Sequence, residues 1–114
     1  NLVKSKLIDK KKEHFLVLSL DSRNNFIKVS EISIGSLNAS IVHPREVFKE
    51  AIQSSAASVI LIHNHPSNDP TPSEDDLEIT KRLAESGKIL GIEVLDHIIV
   101  TRDRFISFKE KKLM

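Results

Sequence analysis

Cysteine is absent from the 114-residue chain. Disulfides, thiolate-ligated zinc, iron–sulfur clusters and a cysteine nucleophile are therefore excluded. Tryptophan and tyrosine are also absent, and 5 Phe make up the whole aromatic content. The apolar residues are mostly Ile, Leu and Val, a composition that favours strands and αβ layers over an aromatic-rich barrel. No apolar run approaches the roughly 18 residues of a membrane span, and the N-terminus lacks the hydrophobic stretch of a signal peptide. The expected location is the cytoplasm. Charge of one sign is not in excess either: 17 Lys+Arg against 16 Asp+Glu give a formal charge of +1. A near-neutral chain argues against strong nucleic-acid binding. Its basic clusters lie at the ends, from Lys4 to Lys12 and from Lys109 to Lys112, and read as solvated tails.

The length fits one domain. We expect a basic tail or linker over 1–12, a folded domain over 13–110 and a short tail over 111–114. A chain that opens on Asn1 reads as a piece of a longer protein. His14 to Leu20 (HFLVLSL) and Phe26 to Ile34 (FIKVSEISI) read as two strands joined by the polar turn Asp21-Ser22-Arg23-Asn24-Asn25. Gly35 and Asn38 end that pattern, and Ala39 to Val42 reads as a short extended piece. Pro44 suits the first turn of a helix running to about Ala56, with Val47, Phe48, Ala51 and Ile52 as its apolar stripe. Ser58 to His63, with four consecutive aliphatics, reads as a central strand covered on both faces. Three prolines between Asn64 and Pro72 make a rigid loop. Ser73 is a strong N-cap for a second helix with an acidic first turn and an inner stripe of Leu77, Thr80, Leu83 and Ala84. Gly87 or Gly91 closes it. Ile92 to Val100 and Phe105 to Phe108 read as the last strands. The order predicts a mixed sheet with helices packed against it, an α/β or α+β sandwich.

The chemistry concentrates where the central strand ends. His63 and His65 are two apart, so both imidazoles can face one point. Asp76 follows eleven residues later, in the first turn of the next helix. Two nitrogens and one carboxylate oxygen would leave a fourth position open, the composition of a catalytic zinc site. Glu31 sits within an otherwise apolar strand face and is a candidate proton carrier. Ser73 could donate to a developing oxyanion. The plainer reading also stands: hydrogen-bonded histidines, a capping box of Ser73 with Asp76, and a Glu31 simply exposed on an edge strand.

The stretch HNHPSNDPTPSEDD resembles the JAMM motif of MPN-type metalloproteases: His-x-His-Pro, Ser-x-x-Asp and an upstream glutamate. The longer resemblance, over about Phe15 to Phe108, is to the C-terminal domain of the RadC family (UPF0758 type), historically called a DNA repair protein. EISIGSLNASIVHPREVFKEA resembles its glutamate-containing strand and following helix, and ITKRLAESGKILGIEVLDHIIV its second helix and return strand. The resemblance implies a three-layer α/β (α+β) sandwich, a mixed β-sheet flanked by helices of the JAB/MPN, cytidine-deaminase-like kind. By position it makes His63, His65 and Asp76 ligands of one zinc ion per chain, Glu31 the general acid/base, and Ser73 the residue that steadies the tetrahedral intermediate. Asn68 departs from the family, which commonly has glycine there. Asn also adopts positive φ, so the turn is kept.

The implied function is a zinc-dependent hydrolase, a metallopeptidase or isopeptidase acting on a peptide or protein substrate. The alternative is a non-catalytic, metal-containing binding or adaptor module linked to DNA repair or DNA metabolism. A cytidine-deaminase-like enzyme ranks below both, because such sites typically use paired cysteines. An upstream helical domain and a homodimer are further expectations; membrane contact and direct DNA binding are not. Asp96-His97 reads either as a partner of a ligating imidazole or as a structural polar pair, and Arg45 either as a loop anchor or as a contact for a substrate carboxylate.

Overall fold

The computed structural model describes residues 11–40 and 42–114. Most of the expected 1–12 tail lies outside the described residues. Five strands form one mixed sheet: β1 (His14–Leu20), β2 (Phe26–Ile34), β3 (Ser58–Asn64), β4 (Glu93–Val100) and β5 (Phe105–Ser107), in the order β2-β1-β3-β4-β5. β1 pairs antiparallel with both β2 and β3, β3 is parallel to β4, and β5 returns antiparallel to β4. Two helices, α1 (Pro44–Gln53) and α2 (Glu74–Leu90), join the strands. α2 connects the parallel pair β3 and β4, the connection that parallel neighbours require.

Alternation along the central strands decides what faces the helices. Phe15, Val17, Val59 and Leu61 pack with Val47, Phe48 and Ala51 of α1 and with Ile79 and Leu83 of α2 in one core. Leu16, Ile62 and Val100 form a second cluster on the other side of the sheet, with Leu18, Val29, Ile60 and Ile98 against it. Both helices therefore lie on one face. Among the described residues the domain has two layers, and no third layer covers the second cluster.

Several local expectations change for physical reasons. Ala39 and Ser40 are not extended: they form a turn in which the Asn38 side chain accepts from the Ser40 N–H (2.8 Å) and hydroxyl (2.7 Å). Ile41 lies outside the described residues. Arg82 reaches back from α2 to donate to the carbonyls of Ala39 and Val42. α1 stops three residues short of Ala56, where the Ser54 hydroxyl donates to the Glu50 carbonyl (2.8 Å) and Ser55 takes a positive φ. Ile52 is exposed, so the α1 stripe is narrower than the sequence pattern implies. In α2 the buried stripe is Asp76, Ile79, Thr80, Leu83 and Gly87: of the expected residues Thr80 and Leu83 are buried, Ala84 packs partly buried against the core, and Leu77 is 39% exposed.

Gly91, in the left-handed region at φ 76°, caps α2, and the N–H of Ile92 closes onto the Gly87 carbonyl (2.8 Å). Gly87 has a different role. A Cβ there would lie 2.2 Å from the Ile92 carbonyl oxygen and 3.3 Å from the Phe48 ring, so only glycine lets α2 approach the start of β4 this closely.

Candidate metal centre

His63 falls on the helix side of β3 and is 1% exposed. His65 lies just past the strand, but its backbone N–H still donates to the Val100 carbonyl (3.0 Å), which keeps it in line with β4. The two imidazoles consequently meet, with ring centroids 4.8 Å apart and planes nearly perpendicular. This is the convergence that the His-x-His spacing predicts.

Asp76 joins them through the start of α2. Ser73 is the N-cap: its Oγ accepts from the Asp76 N–H (3.0 Å), and Asp76 Oδ2 accepts from the Ser73 N–H (2.9 Å). The same Oδ2 lies 3.1 Å from His65 Nε2, while Oδ1 lies 3.5 Å from His63 Nδ1. The capping box and the site are thus one arrangement. The cap fixes the first turn of the helix, and that turn carries a buried carboxylate to both histidines.

A fourth group arrives from β1. Glu13 precedes the strand by one residue, so alternation places it on the side of Phe15, and Phe15 sits opposite His63 in the β1–β3 register. Glu13 Oε1 is 2.9 Å from His63 Nε2. One donor atom each from Glu13, His63 and His65 lie within 4.8 Å of one another. The backbone on both sides of Glu13 is held by Asn64, the residue between the two histidines. Its side-chain amide donates to the Lys12 carbonyl (3.0 Å), and its carbonyl oxygen accepts from the His14 N–H (2.5 Å). The Glu13 carbonyl itself accepts from the Gly35 N–H (2.7 Å).

Glu31 is not brought to this cluster. A register shift between Phe15 and Leu16 pairs Glu31 with Leu16, on the side of the sheet away from the helices. Its carboxylate meets His14 Nδ1 at 2.5 Å, and its side chain is 45% exposed. It lines a separate groove with Arg45, Glu46 and Glu50 beside α1. Glu13, Gly35, His65, Ser73 and Asp76 line the cleft at the site, about 740 Å³ in volume.

The donor set fits a metal ion. Both ring nitrogens of His63 are buried, and their carboxylate neighbours, Glu13 Oε1 at 2.9 Å and Asp76 Oδ1 at 3.5 Å, do not meet them in hydrogen-bond geometry. Buried nitrogens so poorly satisfied are costly unless something else takes them up. A carboxylate and a second imidazole adjoin them, the donor types that hold zinc. The electrostatics agree. Burial alone would raise the Asp76 pKa, but the His65 hydrogen bond, the Ser73 N–H and the nearby imidazoles outweigh it and bring the carboxyl to about 2. Burial pulls the His65 pKa down, yet the Asp76 carboxylate and the Asp69 carbonyl carry it above the ordinary value. His63 moves the other way, lowered chiefly by burial. The Asp76 carboxylate and the Asp69 carbonyl thus favour the protonated form of His65, and a metal at that ring competes with the proton.

The depressed Asp76 pKa has a measurable consequence. Its folded value lies below the ordinary 3.8, so its stabilisation is present above about pH 4 and lost as pH falls towards 2. The shift amounts to about 2 kcal/mol. Denaturant unfolding of the metal-free protein between pH 6 and pH 2 checks this: Asp76→Asn is expected to remove about that much of the acid-dependent loss. An unchanged pH dependence would contradict it.

Behind Asp76, Thr80 ties α2 to β4. Its hydroxyl donates to the Asp76 carbonyl (2.7 Å), and a carbonyl can only accept. His97 Nδ1, 2.6 Å from the same oxygen, is therefore the donor to Thr80. His97 is fully buried, stacks on Phe108 with centroids 4.4 Å apart, and is pushed down to a pKa of about 3 by burial first and the neighbouring histidine charges next. A register shift between β3 and β4 puts both Val94 and His97 on the helix side, which simple alternation could not do. Asp96 instead accepts from the Ser107 hydroxyl (2.5 Å) and the Lys109 N–H (3.0 Å) and secures the turn after β5.

Comparison with known proteins agrees with this geometry. The family model described as RadC-like JAB domain matches residues 1–113. A UPF0758 protein of Caldanaerobacter subterraneus subsp. tengcongensis is 60% identical over 111 residues, covering 97% of this chain and 48% of that protein. A UPF0758 protein of Geobacillus thermodenitrificans is 64% identical over 99 residues, covering 87% and 44%. One from Methanosarcina barkeri is 56% identical over 110 residues, covering 96% and 48%. The chain spans a little under half the length of these curated relatives. With a mixed sheet carrying two helices and a His63–His65–Glu13 cluster built around the buried His63 at the end of β3, the chain belongs to the RadC family as a JAB domain.

Proposed function

We propose that this domain is a zinc-dependent hydrolase of amide or isopeptide bonds, with His63, His65 and Asp76 holding one Zn²⁺ per chain. The observation that carries the reading is the buried His63, its two ring nitrogens facing the carboxylates of Glu13 and Asp76 without hydrogen-bond geometry to either. Zinc bound there supplies Lewis acidity, polarising a carbonyl and lowering the pKa of a water to about 7.

The chain's own groups then divide the remaining work. Glu13, not Glu31, takes the proton of the attacking water and passes it to the leaving nitrogen, because its carboxylate is the one beside His63. Ser73 Oγ accepts from the Asp76 N–H, which leaves its hydroxyl hydrogen free to donate to the substrate oxygen as charge develops. Thr80 and the capping box hold Asp76 in place during this exchange.

The proposal takes a peptide or protein as substrate. It places the domain in the cytoplasm, downstream of a helical region and able to pair with a second copy, with no role for membrane or direct DNA contact. Among the described residues no helix is long and apolar enough to cross a membrane. The same reading extends the two described layers to the three-layer, cytidine-deaminase-like sandwich.

The test is a panel of fluorogenic linear and isopeptide-linked peptides incubated with the zinc-loaded chain. Hydrolysis that a chelator abolishes, zinc restores and His63→Ala lacks is the expected result. Zinc uptake with no hydrolysis anywhere on the panel would contradict the enzyme reading and favour the adaptor module.

A further inference from the structure

We infer that Asn68 and Arg104 are positioning residues for His65: together they set the backbone that delivers the Asp69 carbonyl to its ring. The inference rests on the metal reading of the site. To offer Nε2 as a ligand, His65 must carry its hydrogen on Nδ1 and keep its ring from turning. Nδ1 lies 2.9 Å from the Asp69 carbonyl oxygen, an acceptor only, so that contact requires Nδ1–H. The orientation of the Asp69 carbonyl is thus what fixes the ligand.

Two features set that orientation. Pro70 follows Asp69 and restricts it to extended backbone. Asn68 precedes it in the left-handed region, at φ 68°, with its N–H closing a tight turn onto the His65 carbonyl (3.1 Å). Asn68 is in turn fastened to the connection between β4 and β5. Its amide donates to Asp103 Oδ2 (3.1 Å), its side-chain oxygen accepts from the Asp103 N–H (3.4 Å), and Arg104 donates to its backbone carbonyl (2.9 Å). That connection is itself rigid: the Thr101 N–H and hydroxyl both donate to the Arg104 carbonyl, at 2.8 and 3.0 Å. A loop that could move independently is thereby tied to the strand whose end also holds the His65 backbone.

Asn68→Gly is the informative variant, since glycine keeps the positive φ and deletes only the side-chain bonds. Arg104→Ala removes the third bond from the other side. Two readings are taken on the parent and both variants: zinc dissociation into a competing chelator, and solvent exchange of the His65 Nδ1–H by NMR of the metal-free chain at about pH 6, near the ordinary imidazole range. Dissociation about tenfold faster in each variant, with faster Nδ1–H exchange and a melting temperature of the metal-free chain near the parent's, is the expected result. Zinc dissociation at the parent's rate in both variants overturns the inference. So does faster dissociation that merely follows a collapse in melting temperature. If the parent takes up no zinc, the metal reading fails separately, and the Nδ1–H exchange alone decides whether the clamp orients the ring.

Discussion

Replacing Glu13 by Gln is expected to lower hydrolysis about 100- to 10,000-fold, the usual span of a general acid–base contribution, while Glu31→Gln stays within about twofold of the parent. The two glutamates look alike in the sequence. They differ in which side of the sheet they occupy. Glu13 shares the Phe15 side, opposite His63, and its carboxylate is 2.9 Å from that ring. Glu31 shares the Leu16 side and is engaged by His14. Gln keeps size and hydrogen bonding but cannot accept the proton, so zinc affinity should change far less than the rate. The comparison needs any substrate found to be cleaved by the parent, measured at saturating zinc. A Glu31→Gln loss as large as that of Glu13→Gln would return the proton to the edge strand and contradict the assignment.

Asn64→Ala carries the second large effect, on stability as well as activity. Asn64 is 2% exposed and fills the position between the histidines, pointing to the opposite side of β3. Its two hydrogen bonds hold the backbone on either side of Glu13. Truncation leaves the His14 N–H and the Lys12 carbonyl without partners, a cost of about 1–3 kcal/mol for each group left fully buried. A net loss of about 2–4 kcal/mol is expected, because both groups are only partly buried. Denaturant unfolding of the metal-free chain reads the stability, and the rate on a cleaved peptide should fall with it as Glu13 loses its anchor. Stability within about 0.5 kcal/mol of the parent, the range of an ordinary surface substitution, would remove Asn64 from the account.

Much of this site was legible before any coordinates. The His-x-His pair at the end of an aliphatic strand, and a capped acidic turn eleven residues on, are local patterns whose geometry follows from strand alternation and helix capping. The capping box of Ser73 and Asp76 is present, and it leaves the ligand reading open, since the same turn carries the Asp76 carboxylate to both histidines. The bounds of β1 and β2 were also readable from alternation and from the polar turn between them. What local pattern could not supply was which strands lie side by side. Glu13 reaches His63 only because β1 inserts between β2 and β3, a long-range pairing with no local signature. The register shifts beside Leu16 and beyond Val59 hide the true faces of Glu31 and His97 for a related reason: one extra residue reverses the alternation. A weak signal for Glu13 did exist. Extending the HFLVLSL alternation one residue upstream puts it on the Phe15 side.

On this geometry His63, His65 and Asp76, with Glu13 beside them, would hold one metal ion. Calorimetric titration of the metal-free chain with zinc, run beside the H63A/H65A double variant, tests it most directly. One zinc per chain, with proton release on binding and no uptake by the variant, is the result this geometry predicts. No uptake by the parent, or equal uptake by both proteins, would show that the buried imidazoles are structural and would contradict the account.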